Sequence, residues 1–376
     1  MTRSAIVARQ PVRRPTLLPA VRRLWRDPRR LQVGTDPARA VVLELADPVH
    51  ARVLDLLDGS HSERGVLRAA RRAGIPEDDA ATLLRALTSA GYVVDAHALQ
   101  IARASEATRR RLATECSAIA LHAGDEEIRR SVHQAPRANV VMQRRLRAQV
   151  LVTGASRLAV PIASILAAAG VGRVHADQDG VARVSDAAPA GLLPSDAHRP
   201  RGVAAADALR RVAPDLAVNR PLRGLATFVV LVGFSAPASL TAYSYGSRRL
   251  AHLAVWMRDG TVVVGPLVRP GRSACLHCID LYRTDLDPDW PAIAAQLHTA
   301  PEVGEVVTAT TALSAAAFAA HEVLTHVDGG TPSTVGATVE IIEPGRTIRR
   351  QWSQHPSCGC RRRARTRPGA PPARRP

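Results

Sequence analysis

The plainest chemistry in the sequence is carried by its cysteines. Four of the five fall in two tight pairs, Cys275-Leu-His-Cys278 and Cys358-Gly-Cys360. C-x-x-C and C-x-C each let two thiolates reach one ion from a single turn, and two such pairs complete a tetrahedral zinc site. The 79 residues between the pairs must fold back, so the expected site is a long-range clip rather than a finger. A site closed by four thiolates leaves no position for water or substrate, so the zinc it implies is structural. Other readings use the same residues: a redox C-x-x-C pair, which lacks a thioredoxin-like context, an iron–sulfur cluster, or chance pairing. His277 and His355 are neighbours that could substitute as ligands, although His355 reads as a loop residue. Cys116 stands apart and reads as an ordinary buried or half-buried thiol.

A second constellation begins at Ala148-Gln-Val-Leu-Val-Thr-Gly154, a short apolar strand running into a glycine. Leu158 to Gly170 has helical spacing and Val171 to Ala176 reads as another strand, which makes a β-α-β unit with Asp177 at its far end. An acid 23 residues after the glycine suits a nucleotide-binding α/β fold, in which it holds a ribose hydroxyl. The glycine motif is incomplete: Gly154-Ala-Ser-Arg-Leu-Ala159 keeps only the first glycine of G-x-G-x-x-G, and an arginine stands where backbone amides should meet phosphate. A structural β-α-β unit without a ligand explains the same residues. Gly154, Ser156, Asp177 and Asp179 are the candidate nucleotide-binding residues.

Composition limits the chemistry further. The chain has 376 residues and a formal net charge of +18, yet it contains no lysine, so all 51 cations are arginine. A lysine nucleophile, a Schiff base and a Walker-type phosphate loop are therefore excluded. Nine arginines lie in residues 1–30 and seven in residues 361–376, leaving the body between nearly neutral. That distribution describes two basic ends rather than a nucleic-acid-binding face. No run reaches the ~18 apolar residues of a membrane span, the nearest being Val306 to Ala320. The N-terminus lacks an apolar secretory segment. Expectations are a cytoplasmic protein with no nucleic-acid and no membrane partner, its thiols kept reduced.

Elements must position these groups. Residues 1–16 are Arg/Pro-rich and read as a flexible arm. Leu31–Val33 and Ala40–Leu45 read as strands around a turn. Asp47-Pro48 opens a helix, Ser60 or Ser62 caps a second, and Pro76 starts a third with Ala80, Leu83, Leu84 and Leu87 at helical spacing. Tyr92–Val94 closes the unit as a strand. This order is a winged-helix pattern over residues 17–95, able in principle to bind DNA or a peptide. The third helix carries Glu77, Asp78 and Asp79 against one arginine, Arg85, which argues against a DNA-binding transcription factor. Residues 96–145 read as a helical connector, residues 146–360 as the α/β domain, and residues 361–376 as a disordered Arg/Pro tail. Within the α/β domain, helices are expected at Ala204–Val212 and Val307–Thr325 and strands at Phe228–Val232 and Thr261–Val264.

Taken together, Gly154 to Asp179, Gly265-Pro-Leu-Val-Arg-Pro-Gly271, the two cysteine pairs, the long Ala-rich helix and His355-Pro-Ser-Cys358-Gly-Cys360 resemble the ThiF-type, ubiquitin-activating-enzyme-like fold. More narrowly, the chain resembles the leader-peptide-binding branch of thiazole/oxazole-modified microcin (azol(in)e peptide) biosynthesis. Residues 17–95 are similar to the PqqD-like element that captures leader peptides there. The resemblance implies an α/β fold class: an N-terminal winged-helix (PqqD-like) domain followed by a Rossmann-like ThiF-type domain with a structural zinc site.

Active ThiF-type enzymes adenylate a carboxyl terminus with ATP and Mg²⁺, and in this chain Asp177 and Asp179 match their Asp-x-Asp. The rest departs. Val181 to Asp186 lacks the expected Asn and the Arg-Gln that should follow it, the lysine position near Arg201 is at best arginine, and Gly233-Phe-Ser follows Val232 where a metal-binding aspartate belongs. Loss of that carboxylate implies a degenerate activating-enzyme scaffold with no catalytic residue of its own. The expected function is to bind the leader of a ribosomally made precursor peptide by β-augmentation and present it to a YcaO-type cyclodehydratase. Val41, Leu43, Leu84 and Leu87 are the candidate peptide-binding residues, although for any single leucine a plain core position is the better reading. The alternative is a working adenylyltransferase acting on a peptide or carrier-protein carboxylate. A homodimer is implied by the resemblance alone.

Overall fold

The computed structural model describes residues 12–123, 137–222, 224–233, 237–299 and 305–360. The chain divides into two units, Met1–Gln143 and Arg144–Pro376. Residues 1–11 of the expected arm and the whole expected tail, 361–376, lie outside the described residues.

Unit 1 begins with β1 (Pro15–Leu17), so the end of the segment expected as an arm is a strand. A meander follows, β2 (Arg23–Asp27), β3 (Arg30–Val33) and β4 (Val41–Glu44), antiparallel in the order β2-β3-β4. Both expected strands are present, whereas β2 is an addition. It is Arg-Leu-Trp-Arg-Asp, exposed along nearly its whole length, so it has no apolar alternation to read. The Asp47 carboxylate accepts the N–H of Val49 and starts a turn of 3₁₀ helix over Pro48–Leu56. Ser62 caps α1 (Glu63–Arg72) by accepting the N–H of Gly65, and α2 (Glu77–Ser89) starts after Pro76. The chain closes with β5 (Val93–Asp95), antiparallel to β1. Leu31, Val33, Leu43, Leu54, Val66, Leu84 and Leu87 form part of a single core that joins the meander to the helices. Helix α3 (Glu106–Ala123) follows, and α4 (Ala138–Arg147) spans the division between the units.

Unit 2 is a seven-stranded mixed sheet, ordered β12-β11-β10-β9-β8-β6-β7. Its parallel half is the expected unit: β6 (Gln149–Thr153), α5 (Ala159–Ala168) and β7 (Arg173–Asp177). Helix α6 (Arg201–Val212) and β8 (Phe228–Val232) continue it, and β8 is parallel to β6. All five β8 residues are buried, as an apolar run covered on both faces should be. After α7 (Ala238–Ser247), β9 (His252–Arg258) is still parallel to β8. β10 (Thr261–Val268) then reverses direction, with a register shift between Val264 and Leu267.

Helices α8 (Leu276–Leu286), α9 (Trp290–Thr299) and α10 (Ala309–Val327) precede the last hairpin, β11 (Ala337–Glu343) and β12 (Arg346–Gln351). Alanines of α10 and α6 and apolar residues of α5 share one core with alternate residues of β6, β8, β9 and β10. The small side chains let these helices lie close on the sheet. At the outset of unit 2, the buried Arg145 binds the Asp328 carboxylate through Nε and Nη2, at 2.9 and 2.7 Å. Among the described residues, no helix is long and apolar enough to cross a membrane.

Candidate functional site

Strand β10 and the hairpin after it bring the cysteines together. Beyond Val268 the chain turns, with the Arg269 N–H donating to Ser273 Oγ at 2.8 Å, and delivers Cys275 as the residue capping α8. Cys278 follows on the first helical turn, its N–H donating to the Cys275 carbonyl at 3.0 Å. The other pair arrives after β12, where the Cys358 N–H donates to the His355 carbonyl at 3.0 Å. The Gln354 amide ties the two arms by donating to the Ser273 carbonyl at 3.3 Å.

The sulfurs converge. Cys275 Sγ lies 3.6 Å from Cys278 Sγ and 3.7 Å from Cys358 Sγ, and Cys278 Sγ is 3.6 Å from Cys360 Sγ. All four lie within 4.8 Å of one another. These spacings exceed the ~2.05 Å of a disulfide. They are close to the ~3.8 Å separating sulfurs that share one zinc at ~2.3 Å. Cys275, Cys278 and Cys358 are buried and Cys360 is half-buried. Hydrogen bonding from Cys278, with Cys360 and burial adding to it, drives the Cys275 thiol far above its usual range. Four thiols so placed cannot all ionise without a cation among them, and they fit a metal ion of zinc's ligand preference. His355 is not among them: its Nε2 meets Asp285 Oδ2 at 2.8 Å, its Nδ1 accepts the Ser357 N–H at 3.1 Å, and its ring stands edge-on to Tyr282.

The nucleotide candidates are arranged differently. Gly154 ends β6 with φ +106°, and a Cβ there would collide with the Val232 carbonyl, so glycine is required by the neighbouring strand before any phosphate is considered. Its carbonyl accepts the side-chain amide of Gln178 at 2.7 Å. Ser156 is buried and turned inward, its Oγ accepting the Leu158 N–H at 3.1 Å. The Arg157 N–H, at the mouth of α5, donates to Glu305 Oε2 at 2.8 Å. Burial raises the Glu305 carboxyl above its ordinary range, against the opposing pull of Ser156 and of the Arg157 N–H.

An internal carboxylate thus holds a loop amide of the kind that phosphate uses in nucleotide-binding proteins. Asp177 is half-buried beside Arg220, at 3.2 Å, and His175, at 3.6 Å, while Asp179 is exposed. Arg201, at the expected lysine position, is buried and paired with Asp186 at 2.6 Å. Phe234 and Ser235, where a metal-binding aspartate was expected, lie outside the described residues. Glu305, Gln178 and Arg220 carry no sequence signal: Glu305 meets a loop 148 residues away without any motif around it.

In unit 1, Leu43, Leu84 and Leu87 belong to the core, with Leu87 fully buried, and Val41 is half-buried. The three leucines form the floor beneath β4 rather than a surface open to a ligand. β4 itself pairs only with β3 among the described residues. The Leu45 N–H donates to the Arg29 carbonyl at 2.8 Å, and from there antiparallel alternation turns the N–H and C=O of Val42 and Glu44 outward, to the free edge.

With two units, a mixed sheet and a four-cysteine clip, the chain has a Rossmann-like α/β architecture consistent with the ThiF-type fold. No protein-family model matches the sequence, and no curated protein matches it. Among solved structures, it is similar to E. coli MccB with ATP, at 15% identity and TM-score 0.61, over 92% of this chain and 99% of MccB. The microcin C7 biosynthetic enzyme MccB in complex with N-formylated MccA matches with the same four figures. The heterocyclase TruD matches at 12% identity and TM-score 0.55, over 93% of this chain but 42% of TruD. At these identities the likeness establishes the fold.

Proposed function

We propose that this chain binds the leader of a ribosomally made precursor peptide and presents it to a YcaO-type cyclodehydratase that forms azolines. Residues 17–95 act as the PqqD-like winged-helix element, and unit 2 is a ThiF-type scaffold clipped by a structural zinc on Cys275, Cys278, Cys358 and Cys360. The observation that carries this reading is the edge of β4, unpaired among the described residues, where Val42 and Glu44 offer outward backbone groups above a firm apolar floor. An extended peptide added there gains main-chain hydrogen bonds, and its alternate side chains supply specificity. The condition of the glycine loop points the same way, since Glu305 already holds the Arg157 amide. The neighbours support a place in modified-peptide biosynthesis: MccB has been solved with the peptide MccA, and TruD is a heterocyclase. This chain spans 42% of the length of TruD.

The test is leader binding by the full chain, measured by fluorescence anisotropy with a labelled leader from a neighbouring precursor gene. Val42→Pro, which removes an outward N–H from the edge, should abolish binding, while Val42→Ala should retain it. Equal binding by both variants would exclude the β4 edge.

One observation favours a second reading, an adenylyltransferase acting on a peptide or carrier-protein carboxylate. The chain matches MccB over 99% of that enzyme, and MccB has been solved with ATP. ATP and Mg²⁺ would then be the cofactors, with Gly154, Ser156, Asp177 and Asp179 at the nucleotide. Calorimetric titration with ATP and Mg²⁺ separates the two: no heat up to about 1 mM supports the scaffold, and binding abolished by Asp177→Ala supports the enzyme. A homodimer is part of the proposal in either case and is checked by light scattering.

A further inference from the structure

Within unit 2, a cavity borders the cysteine cluster and lies apart from the glycine loop. It has a volume of about 600 Å³, within the usual range for small-molecule sites. Its walls come from the starts of β8 and β9, the turn after β10 and the C-terminal end of α10, with the cysteine cluster along one side. It therefore opens at the end of the parallel strands opposite to Gly154 and Asp177.

Three arginines line it, Arg249, Arg269 and Arg272, and no Asp or Glu does. Arg249 and Arg272 are exposed, whereas Arg269 is half-buried. Arg269 donates from Nη2 to the Gly330 carbonyl at 2.8 Å, which fixes the guanidinium, while its buried Nε–H has no partner. The deep wall holds His252 and His326. His252 is 1% exposed, and its Nδ1–H donates to the Leu250 carbonyl at 3.1 Å. Nε2 of the same ring is then an acceptor, buried and unpartnered, and Nδ1 of His326 is likewise buried without a partner. Burial lowers the His252 ring to about 4, which keeps it neutral at physiological pH.

Buried polar atoms are seldom left unmatched, so this combination specifies a complement. The arginines call for negative charge and the neutral imidazole calls for a donor. We propose that the cavity binds a small organic oxyanion, a carboxylate or a phosphate ester, whose own N–H or O–H donates to Nε2 of His252. The site is independent of leader binding and of the glycine loop, and it stands or falls apart from either.

Titration calorimetry on the full, metal-loaded chain tests this with two probes. N-acetylglycine carries a carboxylate with an amide N–H, and glycerol 3-phosphate carries a phosphate with hydroxyls, so the one that binds identifies the source of the anion. At least one should saturate with a Kd below about 1 mM. Arg269→Gln should weaken that binding at least about tenfold, the effect of losing a charge-assisted hydrogen bond. Arg272→Gln, on the exposed rim, should weaken it about threefold and leave the melting temperature unchanged, so it carries the test if the Arg269 variant fails to fold. Saturation by neither probe up to about 10 mM overturns the proposal, as does wild-type affinity in both variants.

Discussion

The cysteine cluster and the glycine loop are both written in short motifs, yet the folded chain treats them differently. At the cluster, two pairs 79 residues apart meet with sulfurs 3.6–3.7 Å apart, close to the edge of a zinc tetrahedron. At the loop, the glycine keeps its strained φ, but several neighbouring groups already have internal partners: Glu305 on the Arg157 amide, Asp186 on Arg201, Arg220 beside Asp177. A metal site needs only four like donors at one point. A nucleotide site needs unlike groups from several segments left open to the ligand, and a glycine required by packing does not by itself supply them.

The largest effect expected is at the cluster. Cys278→Ala should abolish stoichiometric zinc, read by elemental analysis, and lower the stability of unit 2 by about 4 kcal/mol or more in denaturant unfolding. Gly154→Ala should come next, costing about 2–4 kcal/mol through the positive φ and the collision with the Val232 carbonyl. That loss should appear in melting experiments without ATP, which would mark the glycine as structural. Asp177→Ala should cost less than about 1 kcal/mol, because its partner Arg220 is 64% exposed. A large loss there would reveal an unrecognised role for the acidic residue.

The smallest effect should be a gain. The Glu305 carboxyl is raised above its ordinary value of 4.5, so its ionised form destabilises the fold at neutral pH. Glu305→Gln should therefore stabilise slightly at pH 7, with the difference shrinking as the pH falls through the raised value towards 4.5. A loss at pH 7 would mean that the hydrogen bond to Arg157 outweighs the burial of charge.

Legibility followed the same divide. The β-α-β unit and the helices of unit 1 could be read because their apolar residues recur at the period of the element that buries them. β2 and β12 could not, since Arg-Leu-Trp-Arg-Asp and Arg-Thr-Ile-Arg-Arg-Gln are exposed strands whose partners, not their own patterns, make them strands. Leu84 and Leu87 show the limit of a periodic pattern: spacing marks a buried face but does not tell core from groove, and both belong to the core.

By itself the sequence determined the periodic elements, the absence of lysine chemistry and four cysteines paired so that they could share one ion, because these depend on residue type and local spacing. Only the tertiary structure decided which polar groups remain available to a ligand. It set Glu305 on the Arg157 amide, left the β4 edge open among the described residues, and brought His252 and Arg269 to one cavity. The physical reason is that availability depends on what else is packed within hydrogen-bonding distance, and these contacts join residues far apart in the chain.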